Sequence, residues 1–83
     1  ATLLYEGETL ELSKNEYRII LTLLERTGSV VSREKLMEKL WATDSFVDEN
    51  TLTVNVARLR KRLGAIGLSD FIETRKGLGY MIK

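Results

Sequence analysis

The residues best equipped for chemistry are cations gathered late in the chain. Arg58-Leu59-Arg60-Lys61-Arg62 carries four of them in five positions, and Arg75-Lys76 adds two more just ahead of Gly77-Leu78-Gly79. The chemistry open to such groups is anion recognition. A guanidinium offers a planar fork of donors that fits a phosphate or the O6/N7 edge of guanine, and an ammonium offers a compact point charge. Catalysis finds less to work with, because the chain contains neither histidine nor cysteine. That removes the usual general base, the commonest zinc ligand, thiolate metal sites and any disulfide framework. No set of nucleophile, base and orienting group can be assembled from what remains, so an enzyme is not expected, nor a cofactor or metal.

A net charge of only +1 argues against a polyanionic partner until the charges are sorted by position. Residues 1–49 hold six basic side chains (Lys14, Arg18, Arg26, Arg33, Lys35, Lys39) against ten acidic ones, a balance of −4. Residues 50–83 hold seven against Asp70 and Glu73, a balance of +5. Such asymmetry concentrates positive potential on one part of a fold. An ordinary solvated basic face gives the same tally, so charge alone leaves both readings open.

Eighty-three residues, 43% apolar and 30% charged, suit one domain with a single core. The longest apolar run, Ile19 to Leu24, is broken by Thr22 and falls far short of the ~20 residues of a membrane span. A soluble domain covering 1–83 is expected, and a cytoplasmic setting fits it. No repeat, low-complexity tract or proline marks an internal linker.

The elements that must position the cations follow from periodicity and capping signals. Leu3 to Leu12 reads as two short strands around a turn at Gly7. Ser13-Lys14-Asn15-Glu16 is a capping box that opens a helix to about Thr27, with Tyr17, Ile20, Leu21 and Leu24 as its buried stripe and Gly28 as its left-handed cap. Val30-Val31 is a short apolar link. Ser32 then caps a second helix that buries Leu36, Met37, Leu40 and Trp41 and ends near Trp41. Ala42 to Asn50 forms a polar connection with the anchors Phe46 and Val47. A third helix spans about Thr51 to Leu63 and is broken by Gly64 and Gly67. Phe71 to Thr74 and Tyr80 to Ile82 close the chain as a hairpin around Arg75 to Gly79.

On the third helix Leu52, Val56, Leu59 and Leu63 face the core at 100° per residue. The opposite face presents Asn50, Val54, Ala57 and Lys61, flanked by Thr51, Arg58 and Arg62 on one side and by Thr53 and Arg60 on the other. Small central residues let a helix sink into a major groove, where valine or alanine meets thymine methyls. Arg58 suits a bidentate contact to guanine, and Arg60 and Arg62 suit phosphates. The competing view is a solvated helix end, whose cations interact favourably with the macrodipole. Against it, no acid occurs between Asn50 and Gly67. Arg75 and Lys76 at the hairpin turn suit a narrow minor groove, although a glycine turn is often only a turn.

The order of helix, helix, loop, basic helix and two-stranded wing is that of an α+β winged helix-turn-helix. The strings Val31-Ser32-Arg33-Glu34-Lys35-Leu36, Leu40-Trp41, Thr51-Leu52-Thr53-Val54-Asn55-Val56, Arg58 to Leu63 and Ile72 to Tyr80 resemble the C-terminal effector domain of OmpR/PhoB-type response regulators. Within it they resemble the BceR/GraR group, which controls resistance to peptide antibiotics. The resemblance implies two-component control of transcription, with the third helix in the major groove and the wing, 74–79, in the minor groove. The expected base contacts are Asn50, Thr53, Val54, Asn55, Ala57 and Arg58. Phosphates are expected at Trp41, Thr51, Arg60, Arg62, Thr74 and Tyr80, and the minor groove at Arg75 and Lys76. The resemblance further implies a receiver domain ahead of this one, direct-repeat DNA sites shared with a second copy, and contact of the loop carrying Asp44, Phe46 and Asp48 with RNA polymerase. Asn50 stands where an arginine is frequent and Thr53 where an aspartate is frequent, so base preference does not carry over. A winged helix that binds protein would show an apolar or charge-balanced third helix. A single-stranded RNA reader would expose stacking aromatics there.

Overall fold

The computed structural model describes residues 2–42 and 48–82. Its elements run β1 (Thr2–Tyr5), β2 (Glu8–Glu11), α1 (Lys14–Glu25), β3 (Val31–Ser32), α2 (Arg33–Trp41), α3 (Glu49–Ala65), β4 (Glu73–Arg75) and β5 (Gly79–Met81). β1 and β2 form an antiparallel hairpin in which Tyr5 faces Glu8. Its two turn residues, Glu6 (φ 47°) and Gly7 (φ 82°), are both left-handed, as a two-residue turn that follows the strand twist requires.

α1 begins on the expected capping box: the Ser13 hydroxyl accepts the Glu16 amide at 3.2 Å, and Glu16 Oε1 accepts the Ser13 amide at 2.9 Å. Its buried face, however, is Glu16, Ile19, Ile20, Thr22 and Leu23. Tyr17 and Leu24 are 42% and 43% exposed. The real stripe has the i, i+3, i+4, i+7 spacing shifted back one residue, 100° around the helix. The shift puts a glutamate inside, and it holds because Arg62 meets that carboxylate from another helix. The helix stops at Glu25 rather than Thr27. Gly28, at φ 88°, turns the chain so that its amide donates to the Ile82 carbonyl at 2.7 Å.

Val31-Ser32 is a strand, not merely a link. β3 pairs with β5 (Val31 with Tyr80, Ser32 with Gly79), and β5 pairs with β4, giving a three-stranded sheet in the order β3-β5-β4. Glycine is required at 79, because a Cβ there would lie 2.0 Å from the Val31 carbonyl oxygen. The first wing strand is shorter and later than expected, the second begins one residue earlier, and Phe71 and Ile72 precede β4 to pack on the core.

α2 is capped by Ser32, whose hydroxyl accepts the Lys35 amide at 3.1 Å, and it buries Leu36 and Leu40. Met37 is only half-buried, and Trp41 is 54% exposed instead of facing inward. α3 is capped by Asp48, whose carboxylate accepts the Thr51 amide at 2.8 Å and is held below its ordinary pKa by that bond. It runs four residues longer than expected. Gly64 lies inside it, and the reversal comes at Gly67 (φ 97°), after which the Leu68 amide closes on the Leu63 carbonyl at 2.9 Å. Leu52, Val56, Leu59 and Leu63 face inward as expected and share one core with Ile19, Leu23, Leu36 and Leu40. Each such side chain stabilises the fold by about 1.5–3 kcal/mol. That core leaves α3 with its far side in solvent and the wing beside it.

Candidate nucleic-acid interface

The outward face of α3 carries Asn50, Thr53, Val54, Ala57, Arg58 and Lys61, all exposed. Val54, 43% exposed, and Ala57 keep its centre low and apolar. Arg58 has no hydrogen bond or ion pair among the described residues, so its fork is available to a partner. Asn55 does not belong to this face. It is 8% exposed, and its amide donates back to the Thr51 carbonyl at 2.8 Å, because its position on the helix turns it toward the core side. Thr51 is half-buried beside it.

Arg62 also departs from expectation. Its guanidinium meets Glu16 Oε1 at 2.5 Å and donates to the Glu11 carbonyl, tying the end of α3 to α1 and β2. Burial pushes the Glu16 carboxyl up, but the Ser13 amide and the Arg62 cation more than offset it and hold the pKa below its ordinary value. The acid that the sequence lacks between Asn50 and Gly67 is therefore supplied in space by α1. Arg62 is a structural cation, and the reason is tertiary: its flank of α3 lies against the start of α1.

Arg60 is turned to the wing, donating to the Thr74 hydroxyl at 2.7 Å with its guanidinium 6.0 Å from the centre of the Tyr80 ring. Tyr80 is buried at 5% exposure, and its hydroxyl accepts from Arg33 Nη1 at 2.8 Å. Arg33 lies 5.7 Å from the same ring, and its Nη2 donates to the Thr53 hydroxyl at 2.7 Å. The structure thus brings α3 and the wing side by side around one tyrosine. Sequence reasoning assigned Arg33 to no site. The available signal was a cation at the first position of a helix, where the macrodipole disfavours positive charge.

In the wing, Arg75 folds back along its own hairpin, pairing with Glu73 at 3.2 Å and donating to Met81 Sδ at 3.1 Å. It remains 44% exposed, and an exposed pair of this kind is weak enough to exchange for another anion. Lys76 is exposed on the turn beside Gly77, with Leu78 64% exposed after it. Trp41, at the end of α2, is exposed. Asp48 is committed to capping α3. Asp44 and Phe46 lie outside the described residues. Among the described residues no cluster of carboxylates could hold a metal, and no helix is long and apolar enough to cross a membrane.

Residues 7–82 match the family model described as transcriptional regulatory protein, C terminal. The chain is 49% identical, over 90 aligned positions, to the sensory transduction protein BceR of Halalkalibacterium halodurans, covering all of this chain and 39% of that protein. It is 47% identical to the response regulator protein GraR of Staphylococcus aureus, covering 89% of this chain and 33% of the relative. The chain therefore spans less than half the length of these relatives. Among solved structures, the C-terminal domain of the nisin resistance regulator NsrR superposes with a TM-score of 0.87 at 46% identity, over 98% of this chain and 82% of that one. The DNA-binding domain of the response regulator AdeR, solved in complex with an intercistronic region, gives 0.85 at 27% identity over 99% of this chain and 83% of that one. A winged helix with these relatives belongs to the family of transcriptional regulatory C-terminal domains, the effector domains of OmpR/PhoB-type response regulators.

Proposed function

We propose that the chain binds double-stranded DNA with sequence preference, as the output domain of a two-component transcriptional regulator. α3 enters the major groove, and the β4–β5 wing lies over the adjacent minor groove. The observation that carries this reading is the outward face of α3: a low centre of Val54 and Ala57, with Arg58, unengaged among the described residues, beside it. Asn50, Thr53, Val54, Ala57 and Arg58 supply the base contacts. Thr51, Thr74 and Trp41 lie where phosphates pass, and Lys76, with Arg75 once released from Glu73, supplies the minor-groove cations. The AdeR DNA-binding domain, a relative with the same fold solved in complex with an intercistronic region, supports DNA as the partner here.

In the longer protein a receiver domain governs this one, and two copies share direct repeats with centres about 10–11 base pairs apart, on one face of the duplex. The connection holding Asp44, Phe46 and Asp48 meets RNA polymerase, and the regulated genes serve resistance to peptide antibiotics, a reading supported by the likeness to the nisin resistance regulator NsrR. The test is selection of bound duplexes from a random pool. A recovered motif bound at least about 10³-fold more tightly than random DNA supports the reading. Equal affinity for all duplexes overturns it.

A further inference from the structure

The structure assigns to Arg33 the role of a positioning residue that sets the wing relative to the reading helix; the inference rests on the DNA-binding reading above. Arg33 is the first residue of α2, where a cation is electrostatically out of place. Its guanidinium is spent elsewhere. One nitrogen donates to the Tyr80 hydroxyl of β5 at 2.8 Å. The other donates to the Thr53 hydroxyl in α3 at 2.7 Å and to the Glu49 carbonyl at 3.4 Å. β3 already fastens the wing to the chain entering α2 through Val31 and Tyr80. Arg33 extends that junction to the first turns of α3, so one planar group spans three elements. A guanidinium can do this because its nitrogens point in fixed, divergent directions, whereas a lysine ammonium cannot reach both hydroxyls at once.

The consequence is a division of labour among arginines. Arg58 is free to read and Arg60 leans on Thr74. Arg33 fixes the angle at which helix and wing meet two neighbouring grooves, and a small misorientation costs selectivity before it costs affinity for DNA at large.

The experiment uses the chain and the duplex recovered by selection, with fold integrity followed by circular dichroism. Arg33→Lys keeps the charge and breaks the span. It is expected to lower affinity for the selected duplex about tenfold while changing affinity for random DNA less than about twofold, and to leave the salt slope intact. Lys76→Ala, at a wing residue that does not touch Arg33, should cost less in the Arg33→Lys background than alone. That non-additivity reports wing placement, which a general loss of stability would not produce. Arg33→Ala is expected to match Arg33→Lys; if it fails to fold, Tyr80→Phe cuts the link from Arg33 to the wing and must give a loss of selectivity in the same direction. A salt slope lowered by about 0.9 in Arg33→Ala but retained in Arg33→Lys would make Arg33 a phosphate ligand and overturn the inference. So would additivity with Lys76→Ala. Absence of selectivity in the unaltered chain overturns the functional reading itself, and the inference with it.

Discussion

Replacing Arg62 by alanine should weaken the fold, more at neutral than at acid pH, and leave the salt dependence of DNA binding unchanged. Glu16 is 1% exposed, and its Oε1 takes the Arg62 guanidinium at 2.5 Å together with the Ser13 amide at 2.9 Å; Oε2 has no hydrogen-bond partner among the described residues. Removing one member of a buried ion pair costs about 3–5 kcal/mol, because the other charge is stranded. Here the guanidinium is 35% exposed and the Ser13 bonds survive, so we expect a loss of about 2–3 kcal/mol at pH 7. The pH dependence follows from linkage. A carboxyl whose pKa is lowered by folding adds stability that is fully present above the unfolded value of about 4.3 and is lost as pH falls through the lower folded value. Without Arg62 two of the influences lowering the Glu16 pKa vanish while burial, which raises it, remains, so the folded pKa moves up and that contribution shrinks. The stability gap between the two proteins should therefore be widest near neutrality and narrow as Glu16 becomes protonated in both. Urea unfolding followed by circular dichroism at several pH values measures it. A gap below about 0.5 kcal/mol, typical of a surface pair, or one independent of pH, would refute the reasoning. So would a salt slope reduced by about 0.9, which would return Arg62 to a phosphate.

Arg58→Ala should cost about 1–3 kcal/mol on the selected duplex and relax preference at one base pair; equal losses on specific and random DNA, in a binding titration, would assign it to phosphate. Leu59→Ala should destabilise by about 2–5 kcal/mol in urea unfolding, since it opens a cavity where α3 meets the core. Gly79→Ala drives a Cβ to within 2.0 Å of the Val31 carbonyl and should part β3 from β5. Faster amide exchange at Tyr80, with the β1–β2 hairpin unaffected, is the expected signature; unchanged exchange would show that the strands have room to separate.

Where local chemistry decides structure, the sequence was readable. The Ser13–Glu16 box, the Ser32 cap, the turn at Gly7 and the inward row of Leu52, Val56, Leu59 and Leu63 are set within one or two turns of chain, and all four stand as expected. Failures came where a distant partner decided. Glu16 reads as a capping residue outside the buried stripe because burying a carboxylate is costly, and that cost is offset by the local Ser13 amide together with an arginine 46 residues later. Val31-Ser32 is too short to declare itself a strand, since its partner lies at Gly79-Tyr80. Gly64 looked like a stop, yet α3 runs one residue past it, and the reversal waits for Gly67, whose φ of 97° only glycine adopts readily.

The same distinction governs the site. Periodicity places Arg58, Arg60 and Arg62 on the solvent side of a helix, but it cannot say where a long, flexible side chain ends. Those ends are set by their acceptors: on other elements Thr74 for Arg60, and Glu16 and the Glu11 carbonyl for Arg62; within the same strand Glu73 for Arg75. A count of basic residues after Asn50 therefore overstates the charge available to DNA. Among the described residues Arg58, Lys61 and Lys76 keep their cations unengaged, and Arg75 is held by an exposed pair with Glu73 and a bond to Met81 Sδ. Each neutralised phosphate steepens the salt dependence by about 0.9, so cations committed inside the fold should contribute none of it. A modest slope with high selectivity is then what this arrangement favours: fewer charges spent on the backbone, and more of the fold spent on holding one helix and one wing at a fixed angle.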